Sequence, residues 1–208
     1  MSLLAFYGFI TVISLSGVMS PGPLTAFLIS RGRQSPWAGI WVTLGHALAE
    51  VPLIIALYAG LQPFFEIQGI REGVSLLGGG VLIYLGSGVF RSFRSTAPEE
   101  KSILECNSLT GGVLLTVLNP YWVLWWLTIG ASLIARTSEF GWLAGLVGMT
   151  VVHLLADGIW AVFITWSSNQ GSRMIGKTGW MRIEQGCAWV MLGFGVFFVY
   201  DGLTGILA

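Results

Sequence analysis

The sequence predicts an all-α membrane protein: six transmembrane helices in an inverted three-plus-three repeat, with the first and fourth helices broken at proline motifs. Three observations predict it. Of the 208 residues, 54% are hydrophobic and only 10% charged, where a soluble domain carries about 25% charged residues. Apolar stretches recur along the chain, each near the roughly 20 residues that a helix needs to cross a bilayer. The features of the first half also return in the second half, in the same order.

The first span is expected over Leu3–Ser30. It lacks a cationic leader and runs too long for a signal peptide, so it reads as a span. Ser20-Pro21-Gly22-Pro23 interrupts it. The second, Trp37–Leu61, carries His46-Ala47-Leu48-Ala49-Glu50, with Pro52 just beyond, expected to loosen the helix. The third, Gly73–Phe90, holds Gly78-Gly79-Gly80 and Gly86-Ser87-Gly88, runs that permit close helix packing rather than phosphate binding. The polar stretch Arg91–Ser108 follows. The fourth span, Leu109–Ala135, is interrupted at Asn119-Pro120, after which come Trp122, Trp125 and Trp126. The fifth, Phe140–Trp166, carries His153-Leu154-Leu155-Ala156-Asp157, and the sixth covers Glu184–Leu207. Residues 1–92 thus form the first three-helix repeat, 93–108 a cytoplasmic linker and 109–208 the second repeat, within one integral membrane domain. Because each half has an odd number of spans, the second enters the membrane from the opposite face, as in many secondary transporters.

Lys and Arg set the orientation. Arg31, Arg33, Arg91, Arg94, Lys101, Arg173, Lys177 and Arg182 fall on one side, and only Arg71 and Arg136 on the other. The cation-rich side is expected to be cytoplasmic, which places both termini outside. Trp37, Trp142, Trp166 and Trp180 fall near span ends, where interfacial anchors belong. Net charge is zero, so nothing points to nucleic acid as a partner. Cys106 and Cys187 match no metal or redox spacing and sit away from the breaks, which excludes thiol–disulfide electron transfer.

The chemistry concentrates in two places. At each break proline removes an N–H and clashes with the carbonyl one turn back, so the helix opens. The half-helix that follows offers free N–H groups and a positive dipole end, suited to a carboxylate. Ser20, Pro21, Gly22, Pro23 and Thr25 at the first break, and Asn119, Pro120 and Trp125 at the second, are therefore the candidate substrate-binding residues. A plain proline kink is the structural alternative. The other place is the doubled His-x-x-x-acid signature, which uses both histidines of the chain. Residues four apart share a helix face, and ionisable groups within a membrane mark pathways and relays. His46, Glu50, His153 and Asp157 are the candidates for proton exchange or for holding an ammonium group. A helix-packing hydrogen bond is the alternative. The three tryptophans after Asn119-Pro120 lie deeper than an interfacial belt and suit a cavity wall, lipid or core filling.

With these motifs in place, the chain resembles the lysine-exporter (LysE) type translocator family. The resemblance rests on Ser20-Pro21-Gly22-Pro23 and Asn119-Pro120, and covers essentially the whole chain. It implies an inner-membrane, multi-pass exporter of amino acids or related small metabolites, linked to the proton gradient. Tyr121 stands where family members often have a lysine, and the His-x-x-x-acid pairs lie outside the pattern expected of the family. The expected partners are a small-molecule substrate, protons and the lipid bilayer; a homo-oligomer is open to the chain; no cofactor is expected. The first alternative is a divalent-metal exporter built on His46, Glu50, His153 and Asp157, where nitrogen and oxygen ligands suit zinc, nickel or cobalt. The second is an intramembrane metal-dependent enzyme using the same four residues, for which the sequence supplies no separate general base. A transporter, not an enzyme, is the expectation.

Overall fold

The computed structural model describes residues 2–19, 22–61, 69–94, 106–174 and 176–207, and among these all regular structure is helical. Helix α1 (Leu3–Val18) starts at Ser2, whose hydroxyl accepts from the Ala5 N–H. Helix α2 (Pro23–Gln34) starts at a proline, a residue whose missing N–H costs nothing at a first turn. Helix α3 spans Ala38–Tyr58 and continues through Pro52, so the proline leaves the helix unbroken. Helix α4 covers Ile70–Arg94. Helix α5 (Ser108–Val117) is capped by Asn107, which accepts from Thr110 N–H at 2.8 Å. After a two-residue break α6 begins at Pro120 and runs to Trp125, followed by a π-helical turn, Trp126–Gly130, and α7, Ala131–Thr137. A second π-helical segment, Trp142–Val147, leads into α8 (Gly148–Met174), and α9 covers Gly176–Leu207.

Among the described residues, three helical segments are long and apolar enough to cross a membrane: Ala38–Tyr58, Trp142–Gly171 and Ala188–Ile206. A fourth appears when Ser108–Val117 and Pro120–Phe140, bent by 62° at the Leu118-Asn119 break, count as one span. The other two expected spans contain apolar helices of shorter reach, Leu3–Leu15 and Ser75–Tyr84. The first stretch is divided where α1 stops at Val18 and α2 starts at Pro23; in α4, charges at both ends and repeated glycines dilute the apolar run. Ser20 and Pro21, and most of the 93–108 linker, lie outside the described residues.

The long helices are built inside out. On α3, Ile40, Trp41, Leu44, Leu48 and Ile55 are exposed, while His46 and Glu50 are buried. On α8, Val151, Leu155, Ile159 and Phe163 are exposed, while His153, Asp157, Thr165 and Asn169 are buried. Water would drive the opposite arrangement. A hydrocarbon solvent favours this one, because apolar faces suit the lipid tails and polar groups must find partners within the protein.

Small residues set where the helices cross. Helix α3 meets α5 at Gly45 and Gly112: a Cβ on Gly45 would strike the Leu109 carbonyl, and one on Gly112 the Val42 carbonyl. Helix α4 pairs with α9 at Gly79 and Gly195, each lying against the other's carbonyl. Both α1 and α2 lie on α8, and α3 packs on α8 as well. Thr165 and Asn169 of α8 hold the α2–α3 turn: Thr165 donates to the Pro36 carbonyl at 2.8 Å and Asn169 to the Gly32 carbonyl at 3.1 Å. At the far end, the Tyr7 hydroxyl of α1 donates to the Ala144 carbonyl inside the π-helical segment, at 2.7 Å. These contacts bring the middles of α3 and α8, and the ends of α1, α2, α5 and α6, around one interior space.

Candidate functional site

Helices α3 and α8 place the four ionisable residues of the two His-x-x-x-acid pairs in one buried cluster. In each pair the spacing of four puts imidazole and carboxylate on one face, and the α3–α8 packing turns the two faces toward each other. His46 Nε2 lies 3.0 Å from Glu50 Oε1 and 3.4 Å from Asp157 Oδ2. His153 Nε2 lies 3.5 Å from the same oxygen of Glu50 and 3.5 Å from the same oxygen of Asp157. Each imidazole therefore meets both carboxylates. Glu50 is 1% exposed and His153 4%.

The other ring nitrogens are held by hydroxyls from the opposite half. His46 Nδ1 lies 2.7 Å from Thr116 Oγ1 on α5, and His153 Nδ1 lies 2.7 Å from Ser14 Oγ on α1. The Thr116 hydroxyl donates its proton to the Gly112 carbonyl at 2.6 Å. It must then accept from His46, which puts the proton on Nδ1 and turns the bare or protonated Nε2 toward the carboxylates. Glu50 Oε1 also accepts from two indoles, Trp122 Nε1 at 3.0 Å and Trp126 Nε1 at 2.9 Å. Trp125 stacks on His153 with ring centres 5.4 Å apart. Glu50 Oε2 and Asp157 Oδ2 are buried without a hydrogen-bond partner, as are Trp125 Nε1 and Trp160 Nε1.

This quartet borders a cavity of about 260 Å³. Its wall includes Gly22, Pro23, Leu24 and Thr25 at the start of α2, and Asn119 and Tyr121 at the start of α6. Helix α2 has Gly22 as its N-cap and no side chain capping it, while Asn119 caps α6 by accepting from the Tyr121 N–H at 3.2 Å. Trp122, Trp125, Trp126 and Trp160 close one flank, and Leu28, Val42 and Phe194 supply apolar wall. Among the described residues, the carboxylates and imidazoles lining the cavity are the four of the quartet. Pro120 is buried behind the wall, against Gly78 of α4. The candidates at both breaks and both His–acid pairs thus meet in one space, apart from Pro120 behind it and from Ser20 and Pro21, which lie outside the described residues.

The family model described as LysE type translocator matches residues 15–202. The chain belongs to the LysE type translocator family. This LysE type translocator is 25% identical over 206 residues to a Bacillus subtilis (strain 168) protein named "Putative amino acid efflux protein YcgF", an alignment covering 94% of this chain and 96% of that protein. It is also 25% identical over 208 residues to an "Uncharacterized membrane protein" of Haemophilus influenzae, covering 94% and 97%. No solved structure matches it significantly. Membership makes it a multi-pass membrane translocator, and the family is one of transporters rather than enzymes.

Several residues at this LysE type translocator's site escaped the sequence reading, among them Ser14, Thr116, Trp160 and Phe194. Ser14 and Thr116 are hydroxyls in apolar stretches shortly before each break, a faint signal among other serines and threonines nearby. Trp160 and Phe194 carry no signal beyond being aromatic within a span.

Proposed function

We propose that this chain is a secondary transporter exporting amino acids or related small metabolites by alternating access, with protons as the coupling ion. One observation carries the reading: residues from both halves, at matching points of each, converge on a single cavity that also reaches the start of the half-helix after each break. A zwitterion fits that distribution. Its carboxylate would sit at the first turn of α2, where the positive dipole end favours an anion. Its ammonium would lie toward the cavity edge of the quartet, and its side chain against the indoles and Leu28, Val42 and Phe194. The name of the Bacillus subtilis relative supports amino acids as the class.

The architecture in this reading is an inverted repeat of six helices in the inner membrane with both termini outside. The crosswise contacts support it. Helix α1 of the first half lies on α8 of the second, α5 of the second half lies on α3 of the first, and α4 pairs with its counterpart α9. Rocking one half against the other would open the cavity to alternate faces. The test is counterflow in proteoliposomes with a panel of amino acids, using protein shown to be folded by a monodisperse gel-filtration peak. Exchange of at least one amino acid is expected, and its dependence on a pH gradient should be flattened or lost in Glu50→Gln and Asp157→Asn. No exchange across the panel rejects the reading; wild-type gradient dependence in both variants rejects the quartet as the place of coupling.

A further inference from the structure

The quartet brings two imidazoles and two carboxylates into direct reach of one another, with nitrogen-to-oxygen distances of 3.0, 3.4, 3.5 and 3.5 Å. One ligand atom from each of His46, Glu50 and Asp157 lies within 4.8 Å of the others, near enough to share one ion. His153 Nε2 stands 3.5 Å from both carboxylate oxygens, beside those three.

The surroundings have the same character. Direct N–H···O bonding leaves Asp157 Oδ2 without a satisfied partner although it is buried and faces both imidazoles. Such an oxygen is costly unless a cation meets it. The Thr116 hydroxyl, committed to the Gly112 carbonyl, holds the His46 proton on Nδ1 and leaves Nε2 to face the centre. That is how metal-binding histidines are oriented by their outer partners. Two indole N–H groups fix the Glu50 carboxylate through Oε1, and its Oε2 is buried without a hydrogen-bond partner. Two carboxylates balance the charge of one divalent ion.

We infer that His46, Glu50, His153 and Asp157 form a binding site for a divalent first-row transition ion of the zinc, cobalt or nickel type. A set of two imidazoles and two carboxylates suits these ions better than magnesium or calcium, which take oxygen ligands. Because two ligands come from α3 and two from α8, the bound ion clasps the two halves together and competes with a substrate ammonium for the same carboxylates.

The experiment is titration calorimetry of the full chain in detergent with ZnCl2, and with MgCl2 as control. Wild type should bind one Zn2+ per chain and no Mg2+ at the same concentrations. His46→Ala and His153→Ala should each weaken Zn2+ binding at least 100-fold. Thr116→Val, which keeps all four ligands, should weaken it about 10–100-fold. Folded wild type that binds no Zn2+, or variants that bind it as wild type does, overturn the inference. Zn2+ should also slow amino-acid counterflow by wild type. Stoichiometric Zn2+ binding by protein that exchanges no amino acid keeps the site and rejects the amino-acid reading; exchange without Zn2+ binding does the reverse.

Discussion

At the residue scale, the decisive contacts are two hydroxyls reaching from one half of the chain to the other. Thr116 accepts from His46 Nδ1 and passes its own proton to Gly112; Ser14 stands in the matching place beside His153. Thr116→Val leaves a buried imidazole N–H without an acceptor, which costs about 1–3 kcal/mol. Thermal unfolding in detergent should therefore show Thr116→Val melting below wild type and Thr116→Ser close to it; equal melting of all three would remove the bond from the account. The histidines and acids themselves were legible, because a spacing of four fixes one helix face by local geometry alone. The hydroxyls were not. A threonine in an apolar helix commonly bonds the carbonyl four residues back, as Thr43 does to Gly39. Nothing local reveals that Thr116 also serves a ring 70 residues away.

At the element scale, glycine position separates packing from tolerance. A Cβ on Gly112 would run into the Val42 carbonyl of α3, whereas one on Gly80 of α4 meets nothing within 4 Å. Gly112→Ala should destabilise the protein by about 1–3 kcal/mol through overpacking. Gly80→Ala should be neutral or stabilising by up to about 1 kcal/mol, since alanine is the better helix former. Comparative thermal unfolding checks both, and an unstable Gly80→Ala beside a stable Gly112→Ala would contradict the crossing. Proline acts on its own backbone, and α2 and α6 both start at prolines, Pro23 and Pro120. The 62° bend, the π-helical segments and the uninterrupted passage of α3 through Pro52 were not legible, since neighbouring helices decide them.

At the scale of the whole molecule, the charge count predicts the placement in the membrane. In a background of Cys106→Ser and Cys187→Ser, a maleimide that cannot cross the membrane should label Ser2→Cys and Thr204→Cys from outside. It should reach Thr178→Cys only after the membrane is opened. Labelling of Ser2→Cys and Thr178→Cys from the same side would contradict the inverted arrangement. The molecule-wide pattern of exposed aliphatics and buried ionisable groups on α3 and α8 expresses the same solvent, with hydrocarbon outside and polar partners within.

The sequence by itself determined the solvent, the helical class and the pairing of each histidine with its acid. All of these follow from composition and from geometry within a few residues. Only the tertiary structure decided that Glu50 faces His153 as closely as Asp157 does, and that two indoles converge on one carboxylate oxygen. Those contacts join residues more than 70 positions apart. The first exists because α3 and α8 cross at close range, and the second because Trp122 and Trp126 reach Glu50 from the segment that starts at Pro120; polar groups turn inward since lipid offers them no partner.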